Sequence, residues 1–80
     1  MNVKRFRGSE FLVTEVRSRL FDMIRMYGCA TVADYYELVG YESKYTDSKY
    51  GWTSLQKAIF VMTNEPDIYE LVLPKAIPIA

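Results

Sequence analysis

The most regular hydrophobic pattern in the chain lies between residues 9 and 27. Placed on a helix at about 100° per residue, its apolar side chains fall within an arc of about 120°. They are Leu12, Val13, Val16, Leu20, Met23, Ile24 and Tyr27. Ser9 can cap the amino end of such a helix, and Gly28 can take the left-handed conformation that ends one. The pattern therefore predicts a helix over residues 9–27, with Phe11 and Phe21 outside its apolar arc.

A second, shorter helix is predicted over residues 31–39. The run Thr31-Val32-Ala33-Asp34 resembles a capping box, and Gly40 follows the last apolar residue. Only residues 28–30 separate the two helices, so we expect them to be neighbours in space, with Cys29 buried at the corner. The apolar face of this helix consists of Val32, Tyr35, Tyr36 and Val39.

The last third of the chain predicts a β-hairpin, which makes the fold class α+β. Residues 57–63 are rich in β-branched and aromatic side chains, residues 68–73 alternate, and residues 64–67 between them are typical of a turn. A capping box at residues 53–56, with helical spacing after it, leaves a helix over residues 53–63 as an alternative. The hairpin is preferred because a lone second strand would have no partner.

The two ends of the chain are expected to be less regular parts of one domain over residues 1–80. Residues 1–8 are basic and predict a flexible arm. Residues 74–80 contain two prolines, which cannot donate to the ladder of a central strand. We therefore expect an extended tail that lays Ile77 and Ile79 onto the domain.

An aromatic loop, residues 41–52, joins the second helix to the hairpin. In the run Y-E-S-K-Y-T-D-S-K-Y-G-W every large apolar group is aromatic, and charged or small polar residues separate the rings. Tyrosine and tryptophan bury large areas at little entropic cost, which is typical of contact surfaces. The predicted protein-contact residues are Tyr41, Tyr45, Tyr50 and Trp52. Packing into the core is the competing interpretation; it is favoured for Trp52 and left open for Tyr41 and Tyr45.

The composition argues against enzymatic chemistry. The chain has no histidine and one cysteine, which rules out a histidine metal site, a histidine triad, an internal disulfide and a zinc site of several thiolates. The acidic residues are dispersed, and the four glycines are isolated. We therefore predict a protein without catalytic residues, cofactor or metal. No signal-peptide pattern and no apolar run of about 20 residues is present, which predicts a cytoplasmic protein.

The charges are balanced overall but unevenly distributed. Residues 1–25 carry six Lys or Arg against three Asp or Glu, and residues 26–80 carry four against seven. The preferred interpretation is that the two parts complement each other within one fold. The alternative is nucleic-acid binding, in which cations contact phosphates and tyrosines stack on bases. Its candidate residues are Lys4, Arg5, Arg7, Arg17, Arg25, Lys44 and Lys49.

The order of the predicted elements resembles that of a winged-helix domain. Two helices, an aromatic loop and a hairpin follow one another within 80 residues. Such a domain needs a third, recognition helix before the hairpin, and only residues 47–55 could supply it. Gly51 would then lie inside that helix, at a cost of about 1 kcal/mol relative to alanine.

A second resemblance covers residues 28–79. The runs G-C-A-T-V-A-D-Y-Y-E-L-V-G, Y-T-D-S-K-Y-G-W-T-S-L and L-P-K-A-I-P-I are similar to those of small orphan proteins encoded by bacteriophages and prophages. The resemblance implies a viral setting and no particular chemistry. The leading hypothesis is a non-enzymatic binding module that acts on a host or phage protein through the aromatic loop. The other alternative is a small virion component or homodimer, with Phe11 and Phe21 forming the contact.

Overall fold

The computed structural model describes residues 3–79, and in this part of the chain two helices and six short strands form an α+β fold. The first half contains β1 (Phe6–Gly8), α1 (Glu10–Tyr27), β2 (Ala30–Thr31) and α2 (Val32–Val39). The second half contains a 3-10 turn (Tyr45–Lys49), β3 (Tyr50–Trp52), β4 (Ile59–Met62), β5 (Tyr69–Val72) and β6 (Ile77–Pro78). The predicted fold class is confirmed.

The helices begin and end where the sequence predicts. The Ser9 side chain accepts a hydrogen bond from the Leu12 amide, and Gly28 ends α1 at φ 85°. At α2 the Asp34 amide donates to Thr31 Oγ1 at 2.9 Å, and the Thr31 amide donates to Asp34 Oδ2 at 3.0 Å. These reciprocal bonds form the predicted capping box.

The predicted hairpin is also present. β4 pairs with β5 in antiparallel fashion, from Ile59 opposite Val72 to Met62 opposite Tyr69. β1 pairs with the other side of β5, which gives a three-stranded sheet of order β1-β5-β4. Residues 53–58 contain no helix, so the alternative of a helix over residues 53–63 is wrong.

A second three-stranded sheet, of order β2-β3-β6, was not predicted. It brings Ala30 opposite Trp52 and Gly51 opposite Ile77. A Cβ atom at Gly51 would lie 2.1 Å from the carbonyl oxygen of Ala30. The close approach of the two strands explains why residue 51 is a glycine, and the position in a helix interior is not needed for that explanation.

Residues 47–55 do not form the third helix of a winged-helix domain. They contain the end of the 3-10 turn, then β3, then an irregular segment. The winged-helix layout is therefore not confirmed.

The core lies between α1, α2 and the two sheets. Its apolar side chains come from both helices and from strands and connecting segments, and Trp52, Tyr35 and Tyr36 are its largest members. The buried set is Val13, Val16, Leu20, Ala30, Val32, Tyr35, Tyr36, Trp52, Leu55, Ala58, Leu71 and Ala76.

The ends of α1 extend beyond the core. An 18-residue helix is about 27 Å long, whereas strands of three or four residues span about 10–13 Å. Tyr27, which the pattern places on the apolar face, is consequently exposed. Leu12 is exposed too, although the next residue, Val13, is fully buried, so Leu12 lies at the border of the buried face. Cys29 beyond the helix is half-buried, not buried as expected.

The prediction of a flexible arm over residues 1–8 is wrong for residues 6–8, which form β1. Pairing with β5 brings this basic segment beside the carboxylate of Glu70. Arg5 Nη1 lies 2.8 Å from Glu70 Oε1, and Arg7 Nε lies 3.7 Å from Glu70 Oε2. Residues 1 and 2 lie outside the described residues.

The carboxyl-terminal segment runs extended along β3, to which β6 adds a short antiparallel pairing. The Ile79 amide donates to the Lys49 carbonyl oxygen at 2.9 Å. Ala76 is buried, whereas Ile77, expected to lie on the core, is exposed. β6 is an edge strand of the small sheet, and both of its residues, Ile77 and Pro78, are exposed.

Candidate functional site

The aromatic loop separates into buried and exposed rings. Trp52 is 2% exposed, and its indole Nε1 donates to the Pro74 carbonyl oxygen at 2.7 Å. Its ring meets that of Tyr35 edge-on, with 6.1 Å between the centroids. Trp52 is therefore a core residue, and its inclusion among the contact candidates is wrong.

Tyr41 and Tyr50 are half-buried and contribute to the fold. The Tyr41 hydroxyl donates to the Arg5 carbonyl oxygen at 3.1 Å, and its ring lies edge-on to Tyr36 at 5.9 Å. Tyr50 starts β3 and pairs with Pro78. Only part of each ring remains available to a partner.

Three tyrosine hydroxyls hold the backbone of the amino-terminal segment. The Tyr35 hydroxyl donates to the Lys4 carbonyl oxygen at 2.7 Å, and the Tyr36 hydroxyl accepts from the Lys4 amide at 3.1 Å. Tyr41 completes the set, which we call the tyrosine clamp: Tyr35, Tyr36 and Tyr41. Burial raises the pKa of Tyr35 well above its ordinary value, and the nearby Tyr41 adds to the shift. From the sequence, Tyr35 and Tyr36 are predicted only as members of an apolar helix face.

Tyr45 is the one candidate ring that projects fully from the surface. Its side chain is 77% exposed, at the start of the 3-10 turn. Residues 42–46, 48 and 49 around it are exposed as well. We call residues 42–49 the Tyr45 loop.

The Tyr45 loop is held by hydrogen bonds from within. Asp47 is buried, and its Oδ2 accepts from the Lys44 amide at 2.7 Å. The Asp47 amide in turn donates to the Lys44 carbonyl oxygen at 2.9 Å. Ser48 Oγ donates to the Tyr45 carbonyl oxygen at 2.8 Å. The exposed ring thus stands on a backbone that needs little ordering when a partner binds.

The exposed charge of the Tyr45 loop is positive. Lys49 Nζ lies 4.7 Å from the centroid of the Tyr45 ring, within the range of a cation–π contact. Lys44, which precedes Tyr45 in the chain, is exposed, whereas Asp47 is buried. Glu42 is the exposed acid of the loop, so its two lysines outnumber it.

The arginines predicted for nucleic-acid binding are engaged within the fold. Arg17 Nε donates to the Ala58 carbonyl oxygen at 3.1 Å, and its guanidinium carbon lies 4.7 Å from the centroid of the Phe21 ring. Arg25 pairs with Asp22. Arg5 and Arg7 share Glu70, as described above.

The candidate lysines differ from the arginines. Within residues 3–79, Lys4, Lys44 and Lys49 form no ion pair. Lys4 Nζ lies 5.9 Å from the centroid of the Tyr41 ring. Lys49 thus lies over the ring of Tyr45 and Lys44 precedes Tyr45 in the chain, whereas Lys4 lies at the tyrosine clamp.

Two concave surfaces lie outside the Tyr45 loop. One is a cleft of about 400 Å³ between residues 3–5 and 71–75, with Tyr35 in its lining. The other is a groove of about 610 Å³ between α1 and α2, with an apolar floor and the charged rim residues Glu15, Arg19, Asp34 and Glu37. In the part of the chain that the structure describes, no three Cys, Asp or Glu side chains cluster closely enough to hold a metal ion. Neither described helix is long and apolar enough to cross a membrane.

No protein-family model, curated protein or solved structure matches the chain. The resemblance to phage-encoded orphan proteins therefore stays a prediction.

Proposed function

We propose that this chain is a non-enzymatic binding module that contacts a protein through the Tyr45 loop. The observation that supports the proposal most is the 77% exposure of Tyr45 on a loop that is hydrogen-bonded to itself. A tyrosine ring left in solvent adds nothing to the core. Buried in a partner's pocket, it would be the kind of side chain that dominates binding energy in protein interfaces.

The rigidity of the loop supports the same proposal. Binding costs free energy whenever flexible segments must be ordered, and a loop that is already fixed avoids that cost. The buried carboxylate of Asp47 fixes the shape of the loop by accepting a hydrogen bond from the Lys44 amide.

The partner surface that fits the Tyr45 loop has an apolar pocket for a phenol ring with acidic side chains beside it. Lys44 and Lys49 would meet those acids at the rim, where charges influence association rate and specificity. The resemblance of residues 28–79 to phage-encoded proteins makes a host or phage protein the partner that we propose.

A bait experiment tests the proposal. The purified chain, Tyr45→Ala and Tyr27→Ala are immobilised and exposed to an extract of the host cells. Tyr27 is the matched control, because it is a tyrosine of similar exposure, 74%, at the end of α1. We expect one protein to be retained by the unaltered chain and by Tyr27→Ala and to be lost from Tyr45→Ala, with equal melting temperatures. Equal retention by all three baits would contradict the proposal.

A further inference from the structure

Strand β4 lies at an open edge of the sheet β1-β5-β4. Among the described residues it pairs with β5 alone. Its four residues, Ile59 to Met62, carry no charge, and Ile59, Val61 and Met62 are 54%, 40% and 78% exposed. Edge strands are normally protected by charged residues, proline or a bulge, and β4 has none of these.

The direction of the main-chain groups of β4 follows from one hydrogen bond. The Thr63 amide donates to the Ile68 carbonyl oxygen at 3.1 Å, so Thr63 faces β5. Because the pattern alternates along an antiparallel strand, Val61 and Ile59 also face β5. Phe60 and Met62 therefore direct their N–H and C=O groups to the open edge.

The same edge is closed at Ala58. The Ala58 amide donates to the Leu55 carbonyl oxygen at 2.9 Å, and its carbonyl oxygen accepts from Arg17 Nε at 3.1 Å. The free main-chain groups of this edge are thus confined to Phe60 and Met62 within β4.

We propose that β4 pairs in antiparallel fashion with β4 of a second copy of this chain, with Phe60 of each copy opposite Met62 of the other. The two-fold axis then passes beside Val61. Centring the pair on Phe60 instead would need the main-chain groups of Ala58, which are already bonded. Centring it on Met62 would bring Asn64, in the turn, opposite Phe60.

The charges beyond the strand fit this register. Beyond the ends of the paired strands, it brings the turn that contains Lys57 of each copy near the turn that contains Glu65 of the other. Neither residue forms an ion pair within the described part of the chain. A symmetric contact with opposite charges at matched positions favours a closed dimer.

The side chains fit it as well. The exposed Val61 meets its own copy on the outer face of the sheet, and Met62 packs beside Phe60 of the second copy. The pairing covers part of Val61 and Met62, and the two sheets become one continuous sheet, with Ile59 on its outer face. The contact is small, so we expect a weak dimer with a Kd of about 10–100 µM. The inference does not depend on the Tyr45 loop.

Sedimentation equilibrium over a range of protein concentrations tests the pairing. The unaltered chain should dimerise, and Val61→Lys should be monomeric, because it opposes two like charges at the axis. Lysine at position 61 should not prevent folding, since residue 61 is exposed and lies opposite Glu70 of β5. The control Ile77→Lys alters an exposed isoleucine of β6 and should leave the dimer unchanged. A chain that is monomeric up to about 1 mM, or a Val61→Lys dimer, would overturn the inference.

A charge exchange tests the register. Lys57→Glu and Glu65→Lys should each weaken the dimer about tenfold, and the double variant should restore it because each pair is again opposite in sign. Amide exchange provides the second readout: protection at Phe60 and Met62 should rise with protein concentration. Failure of the double variant to recover, or unchanged exchange at these amides in the dimer, would show that the copies associate elsewhere.

Discussion

The hydroxyl of Tyr35 donates a hydrogen bond to the carbonyl oxygen of Lys4 at 2.7 Å. This bond joins the second helix to a segment that the sequence predicts to be a free arm. Tyr36 and Tyr41 add their hydroxyls to the same stretch of backbone. Three of the seven tyrosines are thereby committed to holding the fold together.

Removing the Tyr35 hydroxyl should destabilise the protein. Tyr35→Phe leaves the ring in place and deprives a part-buried carbonyl group of its donor, which costs about 1–2 kcal/mol of the free energy of unfolding. For a domain of this size the melting temperature should fall by about 4–16 °C. Thermal unfolding by circular dichroism measures it. The control Tyr27→Phe should have the same melting temperature as the unaltered chain. An unchanged melting temperature of Tyr35→Phe would show that the tyrosine clamp does not stabilise the fold.

The same hydroxyl should make stability depend on alkaline pH. Burial raises the pKa of Tyr35 in the folded state, while the unfolded chain has the ordinary value of about 10. Above pH 10 the unfolded state releases a proton that the folded state keeps, so the free energy of unfolding falls as the pH rises. The slope from this one group is at most about 1.4 kcal/mol per pH unit.

Urea unfolding between pH 8 and 11 tests this dependence. The two proteins share the remaining tyrosines, so the difference between the two slopes reports the loss of the Tyr35 hydroxyl. We expect the shallower decline in Tyr35→Phe. Parallel declines would mean that Tyr35 titrates alike in both states.

Gly51 should tolerate no side chain. A Cβ atom there would lie 2.1 Å from the Ala30 carbonyl oxygen and 2.8 Å from Thr31 Cα, both backbone atoms that cannot move aside. Gly51→Ala should therefore cost about 3 kcal/mol or more. The comparison is Gly28→Ala, which meets only backbone strain at φ 85° in open space and should cost about 1–2 kcal/mol. Chemical denaturation ranks the two, and equal losses would argue against a tight β2–β3 contact.

The arginine contacts predict weak affinity for nucleic acids. Arg5, Arg7 and Arg25 face a carboxylate and Arg17 a carbonyl oxygen, so the candidate cations without such a contact are three separated lysines. We expect no detectable binding to random duplex or single-stranded DNA at physiological salt in fluorescence anisotropy. Micromolar binding that weakens steeply with salt would favour the nucleic-acid alternative instead.

The helices and the hairpin could be predicted because their signals are local. Ser9, Thr31 and the terminal glycines mark helix ends within a few residues, and the turn at residues 64–67 marks the hairpin. β1 and the second sheet could not be predicted. Strands of two or three residues are too short to show an alternating pattern. In addition, Phe6 of β1 pairs with Leu71, which is far away in sequence.

From the sequence, the candidate site could be predicted only as a group of aromatic residues, without knowing which of them are exposed. Whether a tyrosine packs or projects depends on distant acceptors, such as the Pro74 carbonyl oxygen for Trp52 and the Arg5 carbonyl oxygen for Tyr41. Nothing adjacent in sequence reveals these acceptors. Neither Tyr45 nor Tyr50 has such an acceptor among the described hydrogen bonds, and of these two Tyr45 is the exposed one.

The most direct test of the claim that Tyr45 binds a partner is a measurement of binding affinity. Titration calorimetry gives the Kd of the captured partner for the unaltered chain, for Tyr45→Ala and for Tyr27→Ala. A central aromatic contact is worth about 2 kcal/mol or more, so Tyr45→Ala should bind at least about 30-fold more weakly at an unchanged melting temperature. Tyr27→Ala should bind like the unaltered chain. A Tyr45→Ala variant that binds within about twofold of the unaltered chain would contradict the proposed function.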